Sequence, residues 1–228
     1  MNVQDFVSDH YRRHNQRRQE HLATLELPIA GRSVLEVGAG IGDHTSFFRD
    51  RGCAVTATDA RPELLELLAA RHPGVKTVPW NLEGPPPSGL APHDVVYAYG
   101  ILYHTANPAE VLERLAGLCG QLLLLETCLS QGADAACPIV DEIAADPTQA
   151  VSGRGSRPTR AWVLRELGRH FPHAYMSRTQ PWHEEFPLDW TPQAPAPGHL
   201  IRGVFVASRA PLDQRRLSPR VLDRLERS

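Results

Sequence analysis

Apolar positions along the chain follow two alternating rhythms. Short runs of apolar and β-branched residues are bounded by glycine, proline or aspartate, and between them lie stretches with helical spacing. Residues 33–37 read as a buried strand, followed by a glycine turn and a helix from Asp43 to about Arg51. Residues 54–58 read as a second strand, and Pro62 opens a helix that ends near His72, ahead of Pro73 and Gly74. Residues 75–78 form a short third strand and residues 95–99 a fourth. Pro108 opens the next helix, which runs through Leu118 and is stopped by Gly120. Residues 121–126 are a fifth strand containing four consecutive leucines. Thr159 is placed to cap a helix running to His170, and residues 174–179 and 199–208 can pair as closing strands. Strand and helix in alternation predict a single α/β domain.

Three regions break the rhythm. Residues 1–30 precede the sheet, residues 127–158 form a long insert, and residues 180–198 carry five prolines. Long loops in a compact domain are usually functional, so both inserts are expected to wall a substrate site. From Tyr11 to His21 there is no aliphatic residue, so a helix here is polar on every face and reads as a solvated helix or a lid. On that helix Tyr11, Asn15 and Arg18 share one face. Near the C-terminus, Pro219 at a first turn with Val221, Leu222 and Leu225 predicts a helix that docks on the domain or serves a homodimer.

Composition narrows the class. With 42% hydrophobic and 22% charged residues the chain is not a disordered one. The net charge of -2 argues against a general nucleic-acid binder, which carries an excess of positive charge. Cys53, Cys119, Cys128 and Cys137 form no C-x-x-C pair, so there is no zinc-ribbon or redox signal. The N-terminus lacks the basic start and apolar run of a signal peptide, and the longest apolar stretch, 95–103, falls short of the roughly 20 residues of a membrane span. A cytoplasmic protein with reduced thiols is expected.

The chemistry concentrates after the first strand, in Glu36-Val37-Gly38-Ala39-Gly40-Ile41-Gly42-Asp43. A strand that runs into a glycine turn and a helix start lets backbone approach a ligand closely. The glycines are spaced G-x-G-x-G, and Asp43 stands where a dinucleotide fingerprint needs its third glycine. An acid there repels pyrophosphate and suits a zwitterionic or cationic ligand. Asp59 ends the second strand, 23 residues after Glu36, where a carboxylate can accept both hydroxyls of a ribose. Asn81-Leu82 follows the third strand, and a side-chain amide with the next backbone N–H can read an adenine edge. Tyr99-Gly100-Ile101-Leu102-Tyr103-His104 follows the fourth.

In order and spacing these four elements resemble the class I S-adenosylmethionine-dependent methyltransferases of small-molecule type, over roughly residues 32–126. The resemblance implies a Rossmann-like seven-stranded sheet in the order 3-2-1-4-5-7-6, strand seven antiparallel, here with an N-terminal helical extension. It implies S-adenosylmethionine as cofactor, held by Glu36, Gly38, Ala39, Gly40, Gly42, Asp59, Ala60, Asn81, Leu82 and Tyr99, with Tyr11 and Arg18 closing over its carboxylate from the N-terminal helix. The chain then divides into a helical lid (1–30), a cofactor-binding half (31–126), a substrate-side half with inserts (127–208) and a C-terminal helix (209–228).

For the acceptor side, His104 and His183 are candidate general bases, because a neutral imidazole takes a proton near pH 7. Tyr103, Trp182, Glu184 and Arg154 are expected to line the acceptor pocket. No acid-acid-Asn triad is present, since Tyr99 stands where an aspartate is needed, so no catalytic metal is expected. The expected reaction is methyl transfer to an oxygen or nitrogen of a small molecule. An RNA (tRNA) or protein methyltransferase, or a non-catalytic S-adenosylmethionine-binding protein, stays open beside it.

Overall fold

The structure, a computed structural model, describes residues 6, 8–146, 148–191, 199–213 and 215–228. Five helices are present among these: α1 (Asp9–Thr24), α2 (Thr45–Arg49), α3 (Pro62–Arg71), α4 (Pro108–Gly117) and α5 (Arg160–His170). The first five strands are β1 (Ser33–Val37), β2 (Ala54–Asp59), β3 (Lys76–Pro79), β4 (His93–Tyr99) and β5 (Cys119–Leu129). Seven shorter or later strands follow: β6 (Ile139–Asp141), β7 (Arg154–Ser156), β8 (His173–Ser177), β9 (Thr179–Gln180), β10 (Ile201–Ser208), β11 (Leu217–Ser218) and β12 (Glu226–Arg227).

The main sheet has the order β11-β8-β10-β5-β4-β1-β2-β3. Strands β1 to β5 run parallel to one another, and β10 runs antiparallel to both β5 and β8. Counting β8 as the sixth strand and β10 as the seventh reproduces the expected order. The short edge strand β11 is an eighth, added by pairing Leu217 and Ser218 with β8.

Alternation along the strands sends side chains to two cores. Leu35, Val96, Leu123, Leu125 and Phe205 pack against α4 and α5. Val34, Tyr97, Leu122, Leu124 and Val206 pack with Leu22 of α1 and with Phe47 and Phe48 of α2. The four leucines of β5 thus serve both faces in turn. Ser8 caps α1 by accepting the Tyr11 amide, and Thr159 caps α5 by accepting the Trp162 amide.

Two helix expectations need correction. The segment from Ser218 onward is not helical: β11 and β12 are its only regular elements among the described residues. Val221, Leu222 and Leu225 have helical spacing, but tertiary partners for the backbone prevail. The Leu225 amide donates to the Leu188 carbonyl, the Glu226 amide to Arg178, and Leu222 accepts from the Arg160 guanidinium. The glycine-turn helix is also shorter than expected, because Asp43 and His44 precede it and hold α1 instead.

The N-terminal helix is polar in sequence yet is not solvated. Its His14, Asn15, Arg18, His21 and Leu22 are buried. Burial is compatible with polarity because each of the buried polar side chains but His14 makes at least one hydrogen bond. Arg18 donates to Glu126 at 2.8 Å and to Asn15, while His21 Nε2 sits 3.0 Å from the Thr179 carbonyl. The expected lid therefore lies on the domain as α1, with residues 1–5 and 7 outside the described part.

Replacing Arg18 with alanine leaves Glu126 with one guanidinium instead of two. Loss of one partner from a buried ion pair costs about 3–5 kcal/mol. Chemical denaturation is expected to show Arg18→Ala destabilised on that scale, with Glu126→Gln in the same background restoring part of the loss.

Candidate active site

A cleft of about 730 Å³ opens at the carboxyl ends of β1 to β4, where an open α/β sheet binds ligands. Gly38 and Gly40 line it after β1, Asp59, Ala60 and Arg61 after β2, Asn81 and Leu82 after β3, and Tyr103 and His104 after β4. His10, Tyr11 and His14 border it from α1. The insert contributes Asp141, Glu142 and residues 148–151.

The glycine turn is shaped for close approach. Gly38 has φ 65°, and a Cβ there would lie 2.7 Å from the Ile101 side chain. Gly100 has φ 76°, and a Cβ would meet the Arg18 guanidinium at 2.9 Å. Both positions need a residue without a side chain. Asp59 braces this turn: one carboxylate oxygen accepts the Gly40 amide and the other the Arg61 amide, each at 2.9 Å. Each oxygen keeps a further lone pair for a ligand hydroxyl. Burial raises the Asp59 pKa despite these hydrogen bonds. Asn81 is exposed, and its Oδ1 accepts the Glu83 amide at 3.1 Å, which leaves its amide nitrogen for a ligand.

Beneath the turn lies a buried polar cluster. Glu36 accepts from Thr45 Oγ1 at 2.7 Å, and Asn15 donates to Asp43 at 3.0 Å. His44 accepts from the Tyr97 hydroxyl and shares Asn15 Oδ1 with Arg18. Tyr99 and Ala39 border the same small cavity. Of the residues expected around a cofactor, Glu36, Ala39, Tyr99 and Arg18 line this cavity and not the main cleft, and Gly42 lines neither. The Arg18 charge is matched by Glu126 before any ligand arrives.

On the acceptor side, His104 Nδ1 lies 2.5 Å from Glu142 Oε2. Glu142 is fixed in turn by the Ala150 amide at 2.8 Å and by Arg157 at 3.1 Å. Burial, aided by Arg202 and Arg157, lowers the His104 pKa and outweighs the pull of Glu142. Burial opposes ionisation of Glu142, but its hydrogen bond from His104 and those from Ala150 and Arg157 prevail and lower its pKa. His104 is therefore a neutral imidazole with its proton on Nδ1. No hydrogen bond to its Nε2 is formed among the described residues, and His104 lines the cleft, which is compatible with a base and its orienting group.

Tyr103 is held beside it. Its hydroxyl accepts from Arg202 at 3.2 Å, its carbonyl from Arg157 at 3.2 Å, and its ring centroid is 3.9 Å from that of His104. Arg61 reaches across to the carbonyls of Ala144, Asp146 and Gln149, fastening the insert over the cleft.

The other residues expected on the acceptor side are not among those lining the cleft. His183 is buried beneath α1 with its ring 4.7 Å from that of His14 and is not itself among the residues lining the cleft. Trp182 is exposed and donates to the Ser228 carbonyl. Glu184 pairs with Arg13 at 2.5 Å, and Arg154 is exposed on β7 outside the cleft lining. The late insert turns back on α1 and the C-terminal strand, so it offers the cleft Glu185 and not these side chains. Its residues 192–198 lie outside the described part. Glu126 and Arg202 were missed. Their signal was one charged residue inside each of two apolar runs, Leu122–Leu125 before Glu126 and Ile201 to Val206 around Arg202.

Residues 35–121 match a methyltransferase-domain family. Over that stretch the chain is similar to a methyltransferase domain, and its sheet has the Rossmann-like order of the class I methyltransferase fold. The tRNA U34 carboxymethyltransferase of Geobacter sp. (strain M21) is 36% identical over 114 residues, which is 46% of this chain and 35% of that protein. The chain thus spans about a third of that relative's length. Among solved structures, the N-terminal domain of EvdMO1, determined in the presence of SAH and D-fucose, superposes with a TM-score of 0.66. The two are 19% identical over 88% of this chain and 84% of that one. A 1,6-didemethyltoxoflavin-N1-methyltransferase from Burkholderia thailandensis, with 1,6-didemethyltoxoflavin and S-adenosylhomocysteine bound, gives a TM-score of 0.57. It is 20% identical and covers 90% of this chain and 81% of that one. No helix among the described residues is long and apolar enough to cross a membrane.

Burial raises the Glu36 pKa to about 8, so the folded protein holds this carboxyl protonated at neutral pH. Its contribution to stability is full below the unfolded value near 4.5 and is lost as pH rises toward 8. Glu36→Gln removes that loss. Thermal denaturation is expected to place the variant above the wild type at pH 8 by a few degrees, roughly 2–4 °C per kcal/mol. The gap should narrow toward pH 5.

Proposed function

We propose that the protein transfers a methyl group from S-adenosylmethionine to an oxygen or nitrogen of a small-molecule acceptor, with His104 taking the acceptor's proton. The observation that carries this reading is the shared cleft. It joins the Gly38–Gly40 turn and Asp59 to the His104–Glu142 pair. The turn suits the cofactor, because Gly38 and Gly40, at positive φ, bring bare backbone to the wall of the cleft. Gly38 and Gly40 would take the amino-acid part, Asp59 the ribose hydroxyls, and Asn81 with Leu82 the adenine edge. When bound, the cofactor supplies a methyl group activated on a sulfonium.

The protein's own part is alignment and proton removal. The shared cleft would hold the acceptor atom in line with that activated methyl group. The acceptor's proton passes to His104 Nε2, and Glu142 steadies the resulting imidazolium through Nδ1. The size of the cleft matches that of small-ligand sites, which run to about 1,000 Å³. Its lining carries six carboxylates, at Asp59, Glu83, Asp141, Glu142, Asp146 and Glu185, against three guanidiniums, at Arg61, Arg157 and Arg202. A polyanion is repelled from such a surface. The likeness to a tRNA-modifying enzyme supports RNA as the second reading.

Calorimetry is expected to show S-adenosylhomocysteine binding, weakened roughly 10–100-fold by Asp59→Ala, the scale of lost charged hydrogen bonds. His104→Ala should leave that affinity within a few-fold and lower turnover by about 10²–10⁴-fold. Acceptors are found with labelled cofactor offered a small-molecule panel and bulk tRNA in parallel. Label entering tRNA alone would overturn the small-molecule reading, and no binding of S-adenosylhomocysteine would overturn the proposal as a whole.

A further inference from the structure

At the rim of the cleft, α1 meets the turn that follows β9. His10 and His14, one helical turn apart, face His183, with ring centroids 5.2 and 4.7 Å away. Glu184 and Glu185 flank them: His183 Nε2 is 3.6 Å from Glu184 Oε2, and His10 Nε2 is 3.4 Å from Glu185 Oε1. One donor atom each from His10, His183 and Glu184 lie within 4.8 Å of one another.

A second observation points to a ligand. The His183 side chain has 0% exposure, yet its Nε2 has no hydrogen-bond partner. The neighbouring His14 Nε2 is also buried without one. Buried polar nitrogens of this kind call for an explanation, and a bound ion is one.

We propose that His10, His183 and Glu184 bind a divalent transition-metal ion of the zinc class, which fastens α1 to the turn at Trp182–Glu185. Two imidazoles and a carboxylate select zinc, cobalt or nickel over magnesium or calcium, which prefer all-oxygen sites. Bonds of about 2.0–2.1 Å bring tetrahedral ligand atoms to roughly 3.4 Å, so the cluster must contract by about 1 Å. His10 and Glu184, whose side chains are 55% and 44% exposed, are free to make that movement. Binding at His183 Nε2 places the ring proton on Nδ1, so the 3.3 Å contact from the Glu185 amide opens; at that length it is weak. Glu184 also leaves Arg13, an exposed pair of little worth.

Such an ion closes the same edge of the cleft that His10 and His14 border. Its site shares no residue with the Gly38–Gly40 turn, Asp59 or the His104–Glu142 pair. Zinc binding alone therefore tests it, whatever the fate of the methyl-transfer reading.

The full chain, stripped with a chelator, is titrated with zinc sulfate. One equivalent per chain is expected. His10→Ala and Glu184→Gln, both at exposed positions that leave the fold intact, should each weaken binding by at least roughly tenfold. Cobalt(II) in place of zinc should give visible bands without the near-ultraviolet thiolate band. Zinc should also slow amide exchange in the first turns of α1 in the wild type and not in the two variants. Absence of zinc binding overturns the proposal. So does a thiolate band, which places the metal on one of the four cysteines, or an affinity that neither variant changes.

Discussion

Glu126 has no exposed surface, stands in the middle of the sheet, and is met there by two arginines. Arg18 comes from α1 and Arg202 from β10, so one carboxylate joins the first helix and the antiparallel strand to β5. A buried charge left without partners is strongly destabilising, and that penalty makes the arrangement specific. It explains how a helix without a single aliphatic residue in its first turns becomes part of the interior. It also sets the cleft. Arg18 lies against Gly100 below the glycine turn, and Arg202 carries the hydroxyl of Tyr103.

From that centre the two halves of the site diverge in character. The cofactor side is made of backbone: glycines at positive φ, and a carboxylate that braces them through amides. The acceptor side is made of side chains from distant segments. His104 follows β4, Glu142 belongs to the insert after β5, and Arg157 follows β7, yet each is hydrogen-bonded to another of the three or to its neighbour. Arg61 closes the circuit by holding the insert from the cofactor side. Position of the insert and position of His104 are therefore coupled.

The helix α1 has two contacts of different kinds. Its inner face is tied to Glu126, Asp43 and Thr179 by closed hydrogen bonds. Its outer N-terminal edge, at His10 and His14, meets the turn after β9 through imidazoles whose nitrogens are only partly satisfied. The first contact is structural; the second is where a ligand can act on the mouth of the cleft.

Beyond the sheet order, which came from the family resemblance, the sequence by itself determined the strands β1 to β5, the glycine turn and the Thr159 cap. These depend on neighbours within a few residues: a strand period, a glycine at a tight turn, a threonine ahead of an apolar run. Asp59, Asn81 and His104 were placed correctly at strand ends for the same reason. The tertiary structure alone decided where the polar residues went. His183 and Arg18 were read by type, and type is silent on whether a partner is buried beside them. The last ten residues show the same limit, since their helical spacing lost to strand and loop carbonyls far away in sequence. Glu126 and Arg202 carried a signal, a charge in an apolar run, but only their meeting across β5 and β10 shows why it was tolerable.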